Sequence, residues 1–339
     1  MGWRGMVHSN KLHERGERDA RGTGKMKDQR DRVMIAVATY KRPDLLCDLL
    51  SSLEASTNQE FRVVIVDNDP SRSAREVALG SPLRIEYVVE PTPGIAAARN
   101  AALDRIAESD DFILFVDDDE RVDPIWLDAL LRVQTNEQAD VIAGPVISVF
   151  APNAPSWILK GGFIQRARFA TGDSVLSPAT NNTLVRVEYL RSLGMPHFSE
   201  SFSMTGGSDT EYFRRLRAAG AKMVWCNEAL VYEDVPPNRA TFAWIWRRGI
   251  REGNVSGRLR LREIHRPRLF IEGVARVLYG VARQTVDYVS GRGPRAKSFA
   301  YITRGLGWIG ASRNQFVIEY ARPDASGTNR TKAQAPAEG

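Results

Sequence analysis

Cysteine and histidine are scarce in this sequence, and the scarcity narrows its chemistry. Only two of its 339 residues are cysteine, Cys47 and Cys226. Two thiols build no disulfide framework and fit a reducing compartment. The four histidines, His8, His13, His197 and His265, lie far apart without cysteine partners, which argues against a zinc site. No stretch approaches the roughly 20 uninterrupted apolar residues of a membrane span. The N-terminal residues are polar and lack the apolar core of a secretory signal. No GxGxxG follows the first apolar run, so a dehydrogenase-type dinucleotide fold loses its main support. The expectation is a cytoplasmic protein without a spanning helix.

Charge is plentiful and unevenly placed. Residues 1–30 carry 8 basic and 4 acidic side chains, residues 31–234 carry 20 and 30, and residues 235–339 carry 19 and 7. The segments are therefore +4, −10 and +12, within a net charge of +6. An acidic body followed by a basic C-terminal third suggests two regions with different partners, not a uniformly basic nucleic-acid coat. A 43% hydrophobic share is that of a globular protein. Residues 1–30 and the tail after Pro323 have the polar, aperiodic composition of disordered segments. Gly22-Thr23-Gly24-Lys25 lacks the upstream glycine, the Ser or Thr and the preceding strand of a phosphate loop, and is set aside.

From Val33 the pattern becomes regular. Short apolar, β-prone runs at 33–38, 61–66, 83–89, 112–116 and 141–149 read as buried strands. Between them lie helical patterns: one from Pro43 with Leu45, Leu46, Leu49, Leu50 and Leu53, an Ala-rich one at 95–107, and one at 124–133. Alternation of this kind predicts an α/β fold with a mostly parallel sheet wrapped on both sides. Ligands bind beyond the carboxyl ends of such strands. That is where Thr39-Tyr40, Asp67-Asn68 and Asp117-Asp118-Asp119-Glu120 fall.

Four consecutive acids at a buried strand's tip repel one another unless something positive sits there. A hard divalent cation with oxygen ligands, bridging carboxylates to substrate phosphates, is one such partner; a solvated turn is the plainer reading. Asp67 has the position from which an acid accepts hydrogen bonds from a ribose or base, or else it is a turn residue. Gly94 opens a helix whose free N–H groups suit a diphosphate, with Arg99 one turn on. Asp209, after Gly206-Gly207, is either a helix N-cap or a general base held by a turn.

Together these stations resemble the family 2 glycosyltransferases, inverting enzymes of the so-called GT-A fold, and in particular bacterial exopolysaccharide transferases of the succinoglycan type. The resemblance runs from about Val33 to about Gly253. It is carried by ATYKRP (38–43), Val66-Asp67-Asn68, PGIAAARN (93–100), FVDDDE (115–120), WLDALL (126–131), NNTLVR (181–186) and GGSDTEYFRRL (206–216). It implies that Thr39, Tyr40 and Asp67 line the base and ribose pocket, with Arg99, Asp117, Asp118 and Asn182 also on the nucleotide-sugar. Asp117 and Asp119 match the DxD motif, which implies a Mg²⁺ or Mn²⁺ ion, and Glu233 is an alternative ligand. Asp209 matches the family's catalytic base. Ser208 stands where the family usually has glutamate before that base, and the histidine that many relatives carry near residues 229–234 is replaced by Glu233-Asp234.

The implied reaction is transfer of a sugar from a nucleotide-sugar, a UDP-sugar first, to a glycan or lipid-linked glycan, with inversion, in exopolysaccharide or cell-surface polysaccharide synthesis. Two other readings stand beside it: a sugar nucleotidyltransferase, and a non-catalytic adaptor binding membrane or nucleic acid. The expected domains are a catalytic one over 31–234 and a basic, amphipathic helical region over 235–322. In the latter, Phe242, Trp244 and Trp246 precede an arginine-rich stretch. The charges of its apolar segment 269–290 (Glu272, Arg276, Arg283, Asp287) share about 60° of a helical wheel. The broad apolar face predicts either docking on the body or peripheral contact with the inner face of the plasma membrane. No nucleic-acid module is visible, and no nucleic-acid partner is expected.

Overall fold

The computed structural model describes residues 32–202 and 206–315. The tails expected to be disordered, 1–30 and 323–339, and the phosphate-loop-like segment 22–25 lie outside the described residues. The first half alternates as the apolar pattern requires: β1 (Val33–Thr39), α1 (Pro43–Glu54), β2 (Phe61–Asp67), α2 (Arg75–Gly80), β3 (Ile85–Val89), α3 (Ile95–Leu103), β4 (Phe112–Asp117), β5 (Glu120–Val122) and α4 (Trp126–Glu137). There follow β6 (Val141–Ala143), β7 (Val146–Phe150), α5 (Ser156–Gly161), β8 (Thr183–Arg186), α6 (Val187–Ser192), α7 (Ser208–Ala218), β9 (Met223–Trp225) and β10 (Val231–Val235). Three helices close the described chain: α8 (Phe242–Arg260), α9 (Arg266–Val289) and α10 (Ala296–Ser312).

Seven strands form one sheet in the order β3-β2-β1-β4-β8-β6-β9. Its pairs are parallel except at β8, which runs antiparallel to β4 and β6. β1 is buried on both faces, and alternate residues feed two cores. Val33, Ile35 and Val37 meet Leu46, Leu49, Leu50 and Leu53 of α1 and Trp126, Leu127 and Leu130 of α4. Met34 and Ala36 meet the alanines of α3 and Tyr212, Phe213 and Leu216 of α7. Each fully buried leucine contributes about 1.5–3 kcal/mol, so both sheet faces are tightly held. The fold is therefore the expected α/β type, a mainly parallel sheet flanked by helices.

The run 141–149, expected as one strand, is two. Pro145 has no N–H to give to a ladder, so the chain leaves the large sheet at Ala143. It re-enters as β7 in a small second sheet, β5-β10-β7. That second sheet flanks the acidic turn, because β5 begins at Glu120.

The C-terminal helices pack closely. A Cβ on Gly307 of α10 would lie 2.3 Å from the Ile250 carbonyl oxygen and 2.5 Å from the Asn254 nitrogen of α8. Only glycine permits backbones to touch in this way. The bundle also docks on the body. Arg262 reaches the buried Glu211 of α7 at 3.1 Å, and Arg258 donates to the Ser201 carbonyl at 3.0 Å. Ile245 joins Ile158, Phe163 and Val235 in one apolar cluster. α9 nevertheless leaves Ile271, Leu278, Val286 and Val289 exposed on one face. None of the described helices is long and apolar enough to cross a membrane.

Candidate active site

β1, β2 and β4 are parallel and in register: Thr39 pairs with Asp67, and Ala38 with Asp117. The three strands therefore end side by side, with the acidic turn 117–120 at the tip of β4. The turn does not carry four free charges. Glu120 is 1% exposed and accepts a hydrogen bond from the Asp117 backbone N–H at 2.9 Å. Burial first, and the Asp117 charge second, push its carboxyl well above the usual range. Asp118 is buried, and burial raises it to about 6 against the opposing pull of Arg42. Its oxygens accept from the Thr39 hydroxyl at 2.8 Å and from Arg42 Nη1 at 3.2 Å.

The remaining charges face arginines. Arg99 Nη2 lies 3.4 Å from Asp117, and Arg42 and Arg239 lie 3.3 and 3.4 Å from Asp119. Asp117 stays 40% exposed toward the open side. The protein crowded around its carboxyl raises it above the ordinary range, with Arg99 opposing. Arg99 also spans toward Ser208, whose hydroxyl is 3.5 Å from Nη1, and its guanidinium lies 5.8 Å from the Phe198 ring centre.

Asp209 arrives from the other side. Gly207 forms the N-cap of α7 at φ +89°, a left-handed conformation suited to glycine. Asp209 is thus not the cap. It sits in the first turn, where its Oδ1 accepts from the Thr210 N–H at 2.7 Å and the helix N-terminus favours its negative charge. Arg99, Asp117, Ser208 and Asp209 line a single cavity of about 640 Å³. Residues more than 90 positions apart in sequence are brought to one place.

Several expected contact residues have other tasks here. Asp67 is fully buried, and its carboxylate accepts from the Asp69 N–H (3.0 Å), the Ala74 N–H (2.8 Å) and the Tyr87 hydroxyl (2.7 Å). It pins the loop after β2 instead of facing open space. Asn182 is 1% exposed and fully engaged: it accepts from Trp126 Nε1 at 2.8 Å and donates to the Pro145 and Ala229 carbonyls at 3.0 and 2.8 Å. The amide ties α4, the β6–β7 break and the segment before β10 together, leaving no donor for a sugar. Glu233 binds Arg239 at 2.9 Å with one oxygen and Arg166 with the other. Tyr40 is half-buried at the end of β1, with Lys41 Nζ 5.3 Å from its ring centre. Sequence reasoning passed over Arg42, Arg166 and Arg239; only Arg42, directly after β1 inside ATYKRP, carried a positional signal.

For a metal ion the donor set is hard carboxylate oxygen, which suits Mg²⁺ or Mn²⁺. Among the described residues no group of three or more His, Cys, Asp or Glu forms a ready-made cage. Mg²⁺ does not require one, since it commonly takes one or two carboxylates together with substrate phosphates. Among the described residues Asp117 Oδ2 and Asp119 Oδ1 have no hydrogen-bonding partner, and their arginine contacts are long. These two carboxylates fit such an ion.

A sequence model described as Glycosyl transferase family 2 matches residues 34–194. Succinoglycan biosynthesis protein ExoM of Rhizobium meliloti (strain 1021) is 35% identical over 239 residues, 69% of this chain and 76% of that protein. Galactofuranosyltransferase GlfT1 of Mycobacterium tuberculosis (strain H37Rv) is 25% identical over 210 residues, covering 58% of this chain and 68% of that protein. The crystal structure of S. aureus TarS 1-349 in complex with UDP-GlcNAc aligns at 17% identity with a TM-score of 0.47, over 84% of this chain and 92% of that one.

Proposed function

Starting from the fact that this chain belongs to glycosyl transferase family 2 and is a glycosyltransferase, we propose that it moves a sugar from a nucleotide-sugar, a UDP-sugar first, to a glycan or lipid-linked glycan with inversion at the anomeric carbon. The observation that carries this reading is the shared cavity. Asp209, whose carboxylate accepts from Thr210 in its own turn, faces the same space as Arg99 and Asp117. A base and a cation placed around one space suit a single displacement. Asp209 takes the proton of the acceptor hydroxyl as that oxygen attacks. Arg99 balances the charge growing on the departing diphosphate. Asp118, fixed by Thr39 and Arg42, holds the turn in shape. Asp119 and Asp117 would hold Mg²⁺ or Mn²⁺, which supplies further charge stabilisation to the leaving group.

The membrane side of the proposal rests on α9. Its exposed apolar residues Ile271, Leu278, Val286 and Val289 share a face, and Arg266, Arg268, Arg283 and Arg292 nearby are exposed cations. Such a surface suits an anionic cytoplasmic leaflet and would keep the catalytic domain (31–234) near a lipid-linked acceptor. Exopolysaccharide or cell-surface polysaccharide synthesis is the setting we propose, by likeness to the succinoglycan protein.

The test has two parts. A thermal-shift panel of UDP-, GDP- and dTDP-sugars with and without Mn²⁺ should give a metal-dependent rise for one base. Turnover with the donor so identified should fall about 10²–10⁴-fold in Asp209→Asn, with the melting temperature retained. A variant as active as wild type removes Asp209 from the base role; no response anywhere in the panel removes the nucleotide-sugar donor.

A further inference from the structure

A second cavity, of about 740 Å³, adjoins the first between the loop 162–167, α8 and α10. The two share Arg166, Arg248, Glu252, Arg276 and Arg304 in their walls. The second space is therefore within reach of a molecule whose hydroxyl meets Asp209.

The charge of that space is unbalanced. Four arginines and Lys297 line it against a single carboxylate, Glu252. Glu252 is held by Arg248 at 3.0 Å and Arg304 at 2.9 Å. Burial pushes its carboxyl up, but those two guanidinium groups outweigh it and keep it below the ordinary range. It is thus a fixed anion shared by two cations, and one positive charge is left over. Arg166 is matched by Glu233 outside the cavity. Among the described residues neither Arg276 nor Lys297 has a carboxylate partner. Arg276 lies over the Trp308 ring, 4.4 Å from its centre, and its Nε is buried without an acceptor. A buried N–H of a charged group left unpaired is costly, and a ligand oxygen is what would relieve it. Part of the wall is aromatic: Trp244 under Arg248, then Phe163 and Phe299 edge to face at 5.6 Å, and Tyr301. The loop that closes this wall holds Ile164 at φ +69°, a strained conformation for a β-branched residue.

We propose that this second cavity is the acceptor's anion subsite: it binds a phosphate or diphosphate ester through Arg276, Arg304 and Lys297, and the aromatic wall covers the group attached to that ester. The proposal rests on the reading of Asp209 as the acceptor-side base. Guanidinium forks match phosphate oxygens in pairs, and a stacked arginine is already oriented to do so. The donor diphosphate has its own station at Arg99 and the 117–119 turn, so the second cluster is surplus to it.

The test is calorimetric titration of the full chain held saturated with UDP, using farnesyl diphosphate, farnesol and galactose 1-phosphate as probes. At least one phosphorylated probe should bind with UDP present, and farnesol should bind at least tenfold more weakly than farnesyl diphosphate. Tighter binding of farnesyl diphosphate assigns the site to a lipid headgroup; tighter binding of galactose 1-phosphate assigns it to a soluble phosphorylated sugar. Arg276→Gln and the exposed Lys297→Gln should each weaken the phosphorylated probe about tenfold, and Lys297→Gln, outside the first cavity, should leave UDP affinity unchanged. Arg276→Lys, which keeps the charge, should lose less than Arg276→Gln. Displacement of the probe by UDP makes the cluster part of the donor site and overturns the proposal. So does failure of both phosphorylated probes while UDP still binds, or a folded Lys297→Gln protein with unaltered probe affinity. Failure of UDP itself to bind would instead sink the donor reading on which the proposal stands.

Discussion

Gly207→Ala tests whether the turn that carries Asp209 is set by contact with the C-terminal bundle. Gly207 has φ +89° and ψ 10°, and a Cβ built there would lie 2.2 Å from Val255 Cγ1 on α8 and 3.3 Å from Val255 Cβ. Two costs follow. A left-handed alanine is disfavoured by about 1–2 kcal/mol. The overlap with Val255 forces the turn or α8 to move, at about 1–3 kcal/mol for overpacking. The sum is about 2–5 kcal/mol. At about 2–4 °C per kcal/mol for a domain of this size class, the melting temperature should fall by at least ~4 °C. Asp209 is two residues further on, and a displacement of about 1 Å there should lower turnover about 100-fold. Scanning calorimetry and nucleotide release read the two effects separately. Val255→Ala, added to Gly207→Ala, removes the clashing methyl groups but not the backbone strain. The double variant should recover about 1–3 kcal/mol relative to additivity. An alanine variant with wild-type melting temperature, or a double variant with no recovery, would refute the claim that α8 fixes the base.

Three further outcomes follow from the same geometry. Asp118 is raised from 3.8 to about 6 by burial, so the folded state binds its proton more tightly than the unfolded chain. Its contribution therefore falls as pH rises from about 4 to 6, by ~3 kcal/mol at 1.36 kcal/mol per pH unit, and denaturant titrations should show Asp118→Asn lacking that slope. Asn182→Ala strands Trp126 Nε1 and the Pro145 and Ala229 carbonyls, and should cost about 3–5 kcal/mol in the same titrations. Leu278→Glu, at a site 66% exposed, should leave stability unchanged but weaken sedimentation with vesicles containing anionic lipid about tenfold; unchanged sedimentation removes α9 from the membrane contact.

The strands were readable because burial on both faces demands continuous apolar runs, and those runs stand out in sequence at 33–38, 61–66 and 112–116. Their polar ends were readable for the same reason: an acid directly after a buried strand marks the sheet's carboxyl edge. The break at Gly144-Pro145 was legible in principle, but an apolar run on either side of it masked the change of sheet. The fates of Asp67 and Asn182 were not legible. Whether a polar side chain faces a ligand or ties loops together depends on partners such as Tyr87 and Trp126, which lie 20 and 56 positions away.

Sequence alone determined the alternation of strands and helices, the acidic turn at the tip of β4 and the excess of positive charge after residue 235, because each is a local pattern of residue types. Tertiary structure decided how that charge is used. Four arginines from four separate segments (Arg42, Arg99, Arg166 and Arg239) converge on the acidic turn and its neighbour Glu233. Burial, a property of the whole fold, pushes the Glu120 carboxyl well above the usual range. The charged stripe of α9 is turned partly inward, Asp287 onto Ser298 and Arg276 onto Trp308, while its apolar face is left outside. A linear chain shows which charges exist. Only packing sets their distances and their dielectric surroundings, and electrostatic energy depends on both.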